Sequence, residues 1–374
     1  MIYFDNAATA KPNARAVARA QVLSEEDFFN PSAVYRGGLR VQARLKSARE
    51  RLLSYLAPQG GFDLIFTSSG SEADNQAVFS AGKRGNVVLT AGEHAAVYES
   101  CKELKNRGVE VRLAPLNRDG SVKHEAFLAL VDEKTSLAAC IHVNNETGAL
   151  NDVAALAKGV KAKSGRTLFL ADGVQAFLKI PFRLTPEIDF YAVSAHKIGG
   201  VKGAGALYKN KKCNLSPLIY GGGQEGNLRS GTENAFAILA FAVAAEEKFS
   251  SLEADFERVK KIKNRILQVL PQALFSCISP EAGSPYILSL AAKNLRGEVL
   301  LHLCDDRGLL IGKGSACSSK KPYSRVIEAC GRTKEELNGV IRLSFSPENT
   351  VEEGEEAAKI LTEEAEKLLR TLKK

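Results

Sequence analysis

The sequence predicts an α/β protein, with a large domain built on a mainly parallel seven-stranded sheet covered by helices and a smaller α+β domain after it. Three observations predict this. Most of seven short strand-like segments between residues 64 and 208 are solidly apolar rather than alternating, as strands buried on both faces are. Helix-compatible stretches lie between several of them. After about residue 250 the pattern changes to long helices and isolated strands.

The elements follow in order. Residues 34–57 put Val41, Leu45, Ala48, Leu52 and Leu56 on one helical face. The seven strand segments are Leu64-Ile65-Phe66, Val87-Val88-Leu89, Val109 to Leu113, Leu137 to Val143, Leu168 to Ala171, Phe190 to Val193 and Ala206-Leu207-Tyr208. Leu252, Phe256, Val259, Ile262, Ile266 and Val269 make a long amphipathic helix. No Pro/Gly linker marks a domain border, so a long helix carries it. Tyr286 to Ala291, Leu309-Leu310-Ile311 and Ile341 to Phe345 read as strands, and Glu298 to Cys304 as helix. A final helix carries Ile360, Leu361, Leu368, Leu369 and Leu372.

Composition narrows the function classes. At 374 residues, two or three domains are expected. Hydrophobic residues at 45% and charged residues at 25% exclude a disordered, collagenous or coiled-coil chain. The longest near-continuous apolar run, Ala235 to Ala245, is too short for a bilayer, which needs about 20 residues. The N-terminus lacks the basic-then-apolar shape of a signal peptide, so a cytoplasmic protein is expected. Seven cysteines without any CxxC spacing argue against structural zinc and fit a reducing compartment. The net charge of +8 is scattered and no Trp is present, so a solvated basic surface is expected rather than nucleic-acid binding.

Ligands of open α/β sheets bind beyond the carboxyl ends of the strands. There the sequence places Thr67-Ser68-Ser69-Gly70-Ser71-Glu72, small residues opening a helix, as a phosphate cradle or an ordinary Ser N-cap. Glu93-His94 follows the second strand, and Asn144-Asn145-Glu146-Thr147-Gly148 follows the segment ending at Val143. Asp172-Gly173-Val174-Gln175 follows a fully apolar strand, which leaves the Asp172 carboxylate needing a positive partner. Ser194-Ala195-His196-Lys197 offers an amine that neighbouring cations can activate for a Schiff base. A phosphate cradle, an acid and an amine are what pyridoxal 5′-phosphate (PLP) requires, and the chain supplies all three in a plausible order. Arg229-Ser230-Gly231-Thr232 is a candidate third partner for the phosphate.

Two glycine motifs are set aside. Gly221 to Gly226 satisfies GxGxxG without a strand–turn–helix unit around it. Gly308 to Gly314 has three residues between its first glycines and Gly314 where a P-loop needs Ser or Thr. Cys317 sits in a small, basic segment in which Lys313, Lys320 and Lys321 favour the thiolate, so it reads as a reactive thiol. Cys140 and Cys304 read as inert core cysteines. Arg342 interrupts a strand and suits a substrate carboxylate if it faces the cleft.

These residues resemble the cysteine desulfurases, PLP enzymes of the class V aminotransferase group within fold type I. The resemblance runs end to end, through Tyr3 to Thr9, Asn30-Pro31-Ser32, Ser69 to Asn75, Glu93-His94, Asn144-Asn145-Glu146, Asp172 to Gln175, Ser194 to Lys197, Gly221 to Thr232, Gly314 to Ser319 and Arg342. Gly314 to Ser319 resembles the first desulfurase group, which carries its catalytic Cys on a longer loop. The resemblance implies a PLP-binding domain over residues 14–250, and a small domain of residues 1–13 and 251–374 with the catalytic loop at about 312–325. It implies that Lys197 binds PLP covalently, that Asp172 pairs with the ring nitrogen, and that Gln175 bonds the phenolic oxygen. It further implies that His94 stacks on the ring and moves protons, and that Gly70, Ser71, Ser194 and His196 hold the phosphate. Thr232 would reach that phosphate from the second subunit of a homodimer. Asn145 and Arg342 would bind the carboxylate of L-cysteine, and Cys317 would take its sulfur as a persulfide.

The sulfur acceptor implied is an iron–sulfur scaffold or a thiolation enzyme. The sequence ends soon after its last helix, where relatives carry a longer tail that docks the scaffold, so the acceptor stays open. Departures from the family pattern are Ser71 where a Thr is usual, Gly173-Val174 where Ala-Thr is usual, and Thr147 where an aliphatic residue is usual. The competing readings are a selenocysteine lyase or related aminotransferase, and an inactive regulatory subunit of the same fold.

Overall fold

A computed structural model of the chain describes residues 1–313 and 323–372. In chain order the strand β1 (Ile2–Tyr3) is followed by α1 (Ala14–Glu26), α2 (Arg36–Leu56), β2 (Phe62–Thr67), α3 (Gly70–Ala81), β3 (Asn86–Thr90), α4 (Ala95–Asn106) and β4 (Glu110–Ala114). Then come α5 (His124–Ala129), β5 (Thr135–Ile141), α6 (Val153–Lys163), β6 (Leu168–Asp172), β7 (Phe190–Ser194) and β8 (Gly205–Asn210). A single turn α7 (Gln224–Asn227) precedes α8 (Ala235–Val269), β9 (Phe275–Cys277), β10 (Ile287–Ala292), α9 (Gly297–Asp306) and β11 (Leu309–Leu310). The chain closes with α10 (Arg325–Ala329), α11 (Lys334–Asn338), β12 (Val340–Ser344) and α12 (Val351–Leu372). Among the described residues no helix is long and apolar enough to cross a membrane.

The large sheet has the order β2-β8-β7-β6-β5-β3-β4. Only β8 runs against its neighbours, antiparallel to both β2 and β7, so the other six strands share one direction. Successive side chains of a strand point to opposite faces. Accordingly Phe66, Val88, Ala138, Cys140, Phe169, Ala171, Tyr191 and Val193 join one apolar cluster with α2, α6 and the first part of α8. Ile65, Val87, Leu89, Leu137, Ala139, Leu170, Phe190 and Ala192 join a second cluster with α3 and α4 on the other face. Both faces being apolar, the strands read as continuous apolar runs rather than alternating ones.

A third cluster unites β10, β12, α9, α12 and the far end of α8. The helix α8 is one continuous element of 35 residues: Ala237 to Ala242 pack on the large sheet, and Val259, Ile262 and Ile266 pack in the third cluster. The N-terminal segment belongs to this third cluster as well. There β1 pairs in parallel with β11, and Phe4 and Ala7 are buried in it. Beyond Ala7 the segment crosses to the large sheet, where Ala10 N–H donates to His196 O at 3.0 Å and Asn13 N–H to Gly199 O at 2.7 Å.

All seven strands expected of the large sheet are present. The segment expected to end at Val143 leaves the sheet at Ile141. The strands β1 and β9, of two and three residues, are too short to give a periodic signal. The helix α1 was not expected because only Ala16 and Ala20 of its thirteen residues are buried.

Gly173 explains one departure from the family pattern. A Cβ there would lie 2.0 Å from two ring atoms of Tyr191. That ring is fully buried, is stacked on Phe182 at 5.5 Å, and has its hydroxyl 2.9 Å from His142 Nδ1. Gly173→Ala is therefore expected to lower unfolding stability by about 1–3 kcal/mol in urea titrations, as overpacking does. In a Tyr191→Val background the added cost should shrink; an unchanged cost would mean the clash is not with that ring.

Candidate functional site

A cavity of about 290 Å³ opens where the parallel strands stop. Ten of the residues singled out in the sequence line it: Gly70, Ser71, His94, Asn145, Asp172, Gln175, Ser194, His196, Lys197 and Arg342. The strands β6 and β7 end at Asp172 and Ser194, β2 turns into α3 at Ser69, and β3 leads through Glu93 and His94 into α4. One sheet end thus gathers segments far apart in sequence.

At the start of α3, Ser69 is the N-cap and its side chain accepts from Glu72 N–H at 3.2 Å. The N–H groups of Gly70 and Ser71, within the first turn, have no partner inside the helix and lie at its positive end. Gly70 has to be glycine, because a Cβ would meet Val174 Cγ2 at 2.6 Å. The cradle and the N-cap readings therefore both hold, with Ser69 as the cap. Arg229 departs from expectation: it is not in the cavity wall and pairs with Glu72 at 2.9 Å, neutralising an acid that would oppose an anion at this helix start. Thr232 is exposed and does not line the cavity of its own chain. Cys317 lies outside the described residues.

Asp172 is buried; one oxygen accepts Val174 N–H at 2.9 Å. Burial pushes its pKa up, while His94, that N–H and Lys197 pull it back. His94 is the N-cap of α4, and its Nδ1 accepts Ala96 N–H at 3.2 Å, so the neutral ring carries its proton on Nε2. Burial also pushes the His94 pKa down, with Asp172 opposing and Lys197 assisting. His196 lies 3.0 Å from Thr9 Oγ1 through Nδ1, and burial followed by the neighbouring Lys197 brings its pKa to about 4. It is neutral at physiological pH.

Lys197 Nζ donates to Ala7 O at 2.6 Å and Ala8 O at 2.8 Å. Gln175 Nε2 donates to the same Ala7 carbonyl at 2.9 Å, and its Oε1 accepts from Lys179 Nζ at 3.2 Å. Arg342 is fixed at two corners, by Asp5 at 2.7 Å through Nη2 and by Asn145 O at 2.8 Å through Nη1. Its Nε and the Asn145 Oδ1 are buried without hydrogen-bond partners among the described residues. A cavity wall that leaves such groups unpaired is built to meet a polar ligand.

Sequence reasoning gave no role to five contributors. Asp5 braces Arg342. Lys179, buried and lowered to about 7 by desolvation and then by Lys197, braces Gln175. Asp74 lines the cavity from α3. It lies four residues after Gly70, an acid on the same apolar face as Ala73 and Ala77, and that spacing is a signal that could have found it. Glu93 Oε1 accepts Thr90 Oγ1–H at 2.6 Å and Ile141 N–H at 2.9 Å. Arg325 donates to the carbonyls of Ala91 and Glu93 and stacks on Tyr98 at 3.8 Å. The last two are tertiary contacts that no local pattern announces.

The six described cysteines are free, and the thiols of all six have pKa values pushed up by burial, those of Cys101, Cys304 and Cys330 to about 12. None of these six is a thiolate at neutral pH.

Residues 2–356 match the family model of the aminotransferases of class V. A cysteine desulfurase of Gluconacetobacter diazotrophicus is 34% identical over 359 residues, covering 93% of this chain and 89% of that protein. A solved NifS-like protein superposes with a TM-score of 0.89 at 32% identity, covering 97% of this chain and 98% of the other. A structure described as SspA in complex with cysteine gives a TM-score of 0.82 at 26% identity, over 93% of this chain and 99% of the other.

Glu93 offers a test of the buried acids. Burial raises its pKa from 4.5 to about 7, with Asp172 adding and its hydrogen bonds and Arg325 opposing. The folded state therefore holds a proton that the unfolded state has lost between those values, so its contribution is complete below pH 4.5 and is lost as pH rises through 7. The shift corresponds to roughly 3 kcal/mol. Glu93→Gln, which cannot ionise, should gain stability relative to the parent over that window in urea titrations. Parallel profiles for the two proteins would show that Glu93 ionises normally.

Proposed function

The chain belongs to the class V aminotransferase family, and within it we propose a cysteine desulfurase that removes sulfur from L-cysteine, releases L-alanine and carries the sulfur as a persulfide on Cys317. One observation carries the reading: a single cavity joins the amine of Lys197, the buried carboxylate of Asp172, neutral His94, the helix start at Gly70 and Ser71, and Arg342.

The donor set fits PLP. Lys197 would hold its aldehyde, Asp172 its ring nitrogen and Gln175 its phenolic oxygen. His94 would be the neighbour of the ring. Gly70, Ser71, Ser194 and His196 would hold the phosphate, and Thr232 of a second copy would complete that cradle, which makes the working unit a homodimer. When bound, PLP supplies an electron sink for the pair left when a bond at the substrate's α-carbon breaks.

The chain's own residues do the rest. Arg342 Nε–H, unpaired now, and the Nδ2–H group of Asn145 donate to the carboxylate of L-cysteine. Asp5 keeps the guanidinium from turning away from it. Lys197 Nζ accepts the α-proton and returns it. His94 passes protons through Nε2. The Cys317 thiolate attacks the substrate sulfur; the Cβ–S bond breaks, the sulfur stays on Cys317, and the protonated carbon skeleton leaves as alanine. An acceptor such as an iron–sulfur scaffold or a thiolation enzyme then takes the sulfur. Six free thiols support a reducing, cytoplasmic setting.

The test is alanine and sulfide formed from L-cysteine with PLP and a thiol reductant present, for the parent and Cys317→Ser. Equal amounts of both products, lost in the variant while the yellow colour remains, are expected. A yellow parent that makes no alanine would overturn the reading. Arg342→Lys, which keeps the charge and loses the planar fork, should raise KM for L-cysteine about tenfold with a smaller change in kcat. An unchanged KM would remove Arg342 from substrate binding.

A further inference from the structure

The cavity holds one carboxyl group that the mechanism above does not use. Asp74 is fully buried on α3, lines the cavity, and neither of its oxygens has a hydrogen-bond partner among the described residues. One oxygen each from Asp74 and Asp172 and one ring nitrogen of His94 lie within 4.8 Å of one another.

Two carboxylates that close in a buried pocket do not both stay ionised; the pair shares one proton. The surroundings decide which of them holds it. Asp172 receives Val174 N–H and faces His94 and Lys197, all of which favour its charge. Among the described residues Asp74 receives no N–H, and of these groups only the neutral His94 ring lies near it. Its charged neighbours are Asp172 at the end of β6 and Glu93 ahead of α4, and both repel a second negative charge. The other titratable groups here are neutral: His94 at the start of α4, Cys101 on α4 and Cys140 on β5. Arg325 is spent on the far side of Glu93, on the carbonyls of Ala91 and Glu93.

We propose that Asp74 is a positioning residue that works as an un-ionised carboxylic acid, leaving one negative charge on Asp172 and supplying the O–H donor on the α3 side of the cavity. The claim about the proton stands on the cavity alone. Its consequence rests on the PLP reading: the ring nitrogen meets one charge rather than two, so the ring's proton affinity is set by Asp172, with Asp74 adding no second charge.

Infrared spectra of the purified full-length protein, with and without added PLP, test the first part. They are taken one pH unit above the Glu93 midpoint of about 7, for the parent, Asp74→Asn and Glu93→Gln. The carbonyl stretch of an un-ionised carboxylic acid, shifted in heavy water, is expected in the parent and in Glu93→Gln and absent from Asp74→Asn. Aspartate labelled with carbon-13 makes the same assignment in the parent alone should a variant not fold. A parent spectrum without that band, or a band that survives in Asp74→Asn, overturns the proposal.

The second part is read from PLP titrations and the pH midpoint of the visible band. Asp74→Asn, neutral and of the same shape, should bind PLP within about threefold of the parent and leave the midpoint within about 0.3 unit. Asp74→Ala, which removes the O–H donor offered to the cavity and leaves a void, should weaken PLP binding by about tenfold. A midpoint lowered by about one unit in Asp74→Asn would mean that a charge was removed, and would overturn the proposal. If the parent takes up no PLP, the cofactor reading fails and the infrared result alone decides the state of Asp74.

Discussion

Asp172 ends the central strand of a seven-stranded sheet as a carboxylate with almost no access to water, and such a charge persists only where the surrounding chain compensates it. The compensation comes from separate places. Val174 donates an N–H from the following turn, His94 arrives from the loop after β3, and Lys197 from the turn after β7. Asp74 adds a neighbour that has to remain neutral for the balance to hold. The parallel direction of six strands brings these segments to one end of the sheet, so the electrostatics of the site follow from the topology.

The site also depends on the third apolar cluster, although most of its residues sit on the large sheet. The N-terminal segment is tied into that cluster by β1 and Phe4, and then delivers the carbonyls of Ala7 and Ala8 to Lys197 and Gln175. Arg342 comes from the same side on β12. Its backbone exchanges hydrogen bonds with Gly312, at 2.9 and 2.7 Å, and its side chain reaches Asp5 and the Asn145 carbonyl. The ligand-facing groups of the cavity are therefore held in place by contacts between the two cores, and α8 runs through both.

The thiol chemistry divides along the same lines. Packing Cys101, Cys140, Cys213, Cys304 and Cys330 in buried surroundings raises their pKa values and makes them poor nucleophiles. The residue with the opposite setting is Cys317, flanked in sequence by Lys313, Lys320 and Lys321. Burial thus keeps the thiols of those five buried cysteines un-ionised.

By itself the sequence determined the class of the fold, the seven strands of the large sheet and most of the site. Apolar runs such as Phe190 to Val193 announce strands buried on both faces, and small or polar residues stand where those runs stop; ten of the twelve candidate residues, whose roles the family resemblance implied, line one cavity. What only the tertiary structure decided are the partnerships. Asp5 with Arg342, Arg229 with Glu72, Arg325 with the Glu93 carbonyl, and the Ala7 and Ala8 carbonyls with Lys197 all join residues far apart in sequence, whose pairing leaves no local pattern. The continuity of α8 and the two- and three-residue strands were hidden for a related reason, because their stability comes from neighbours rather than from periodicity. Local sequence sets which backbone forms and which face is apolar. The charge state of a buried acid depends on what the rest of the chain folds against it, and that is fixed only in three dimensions.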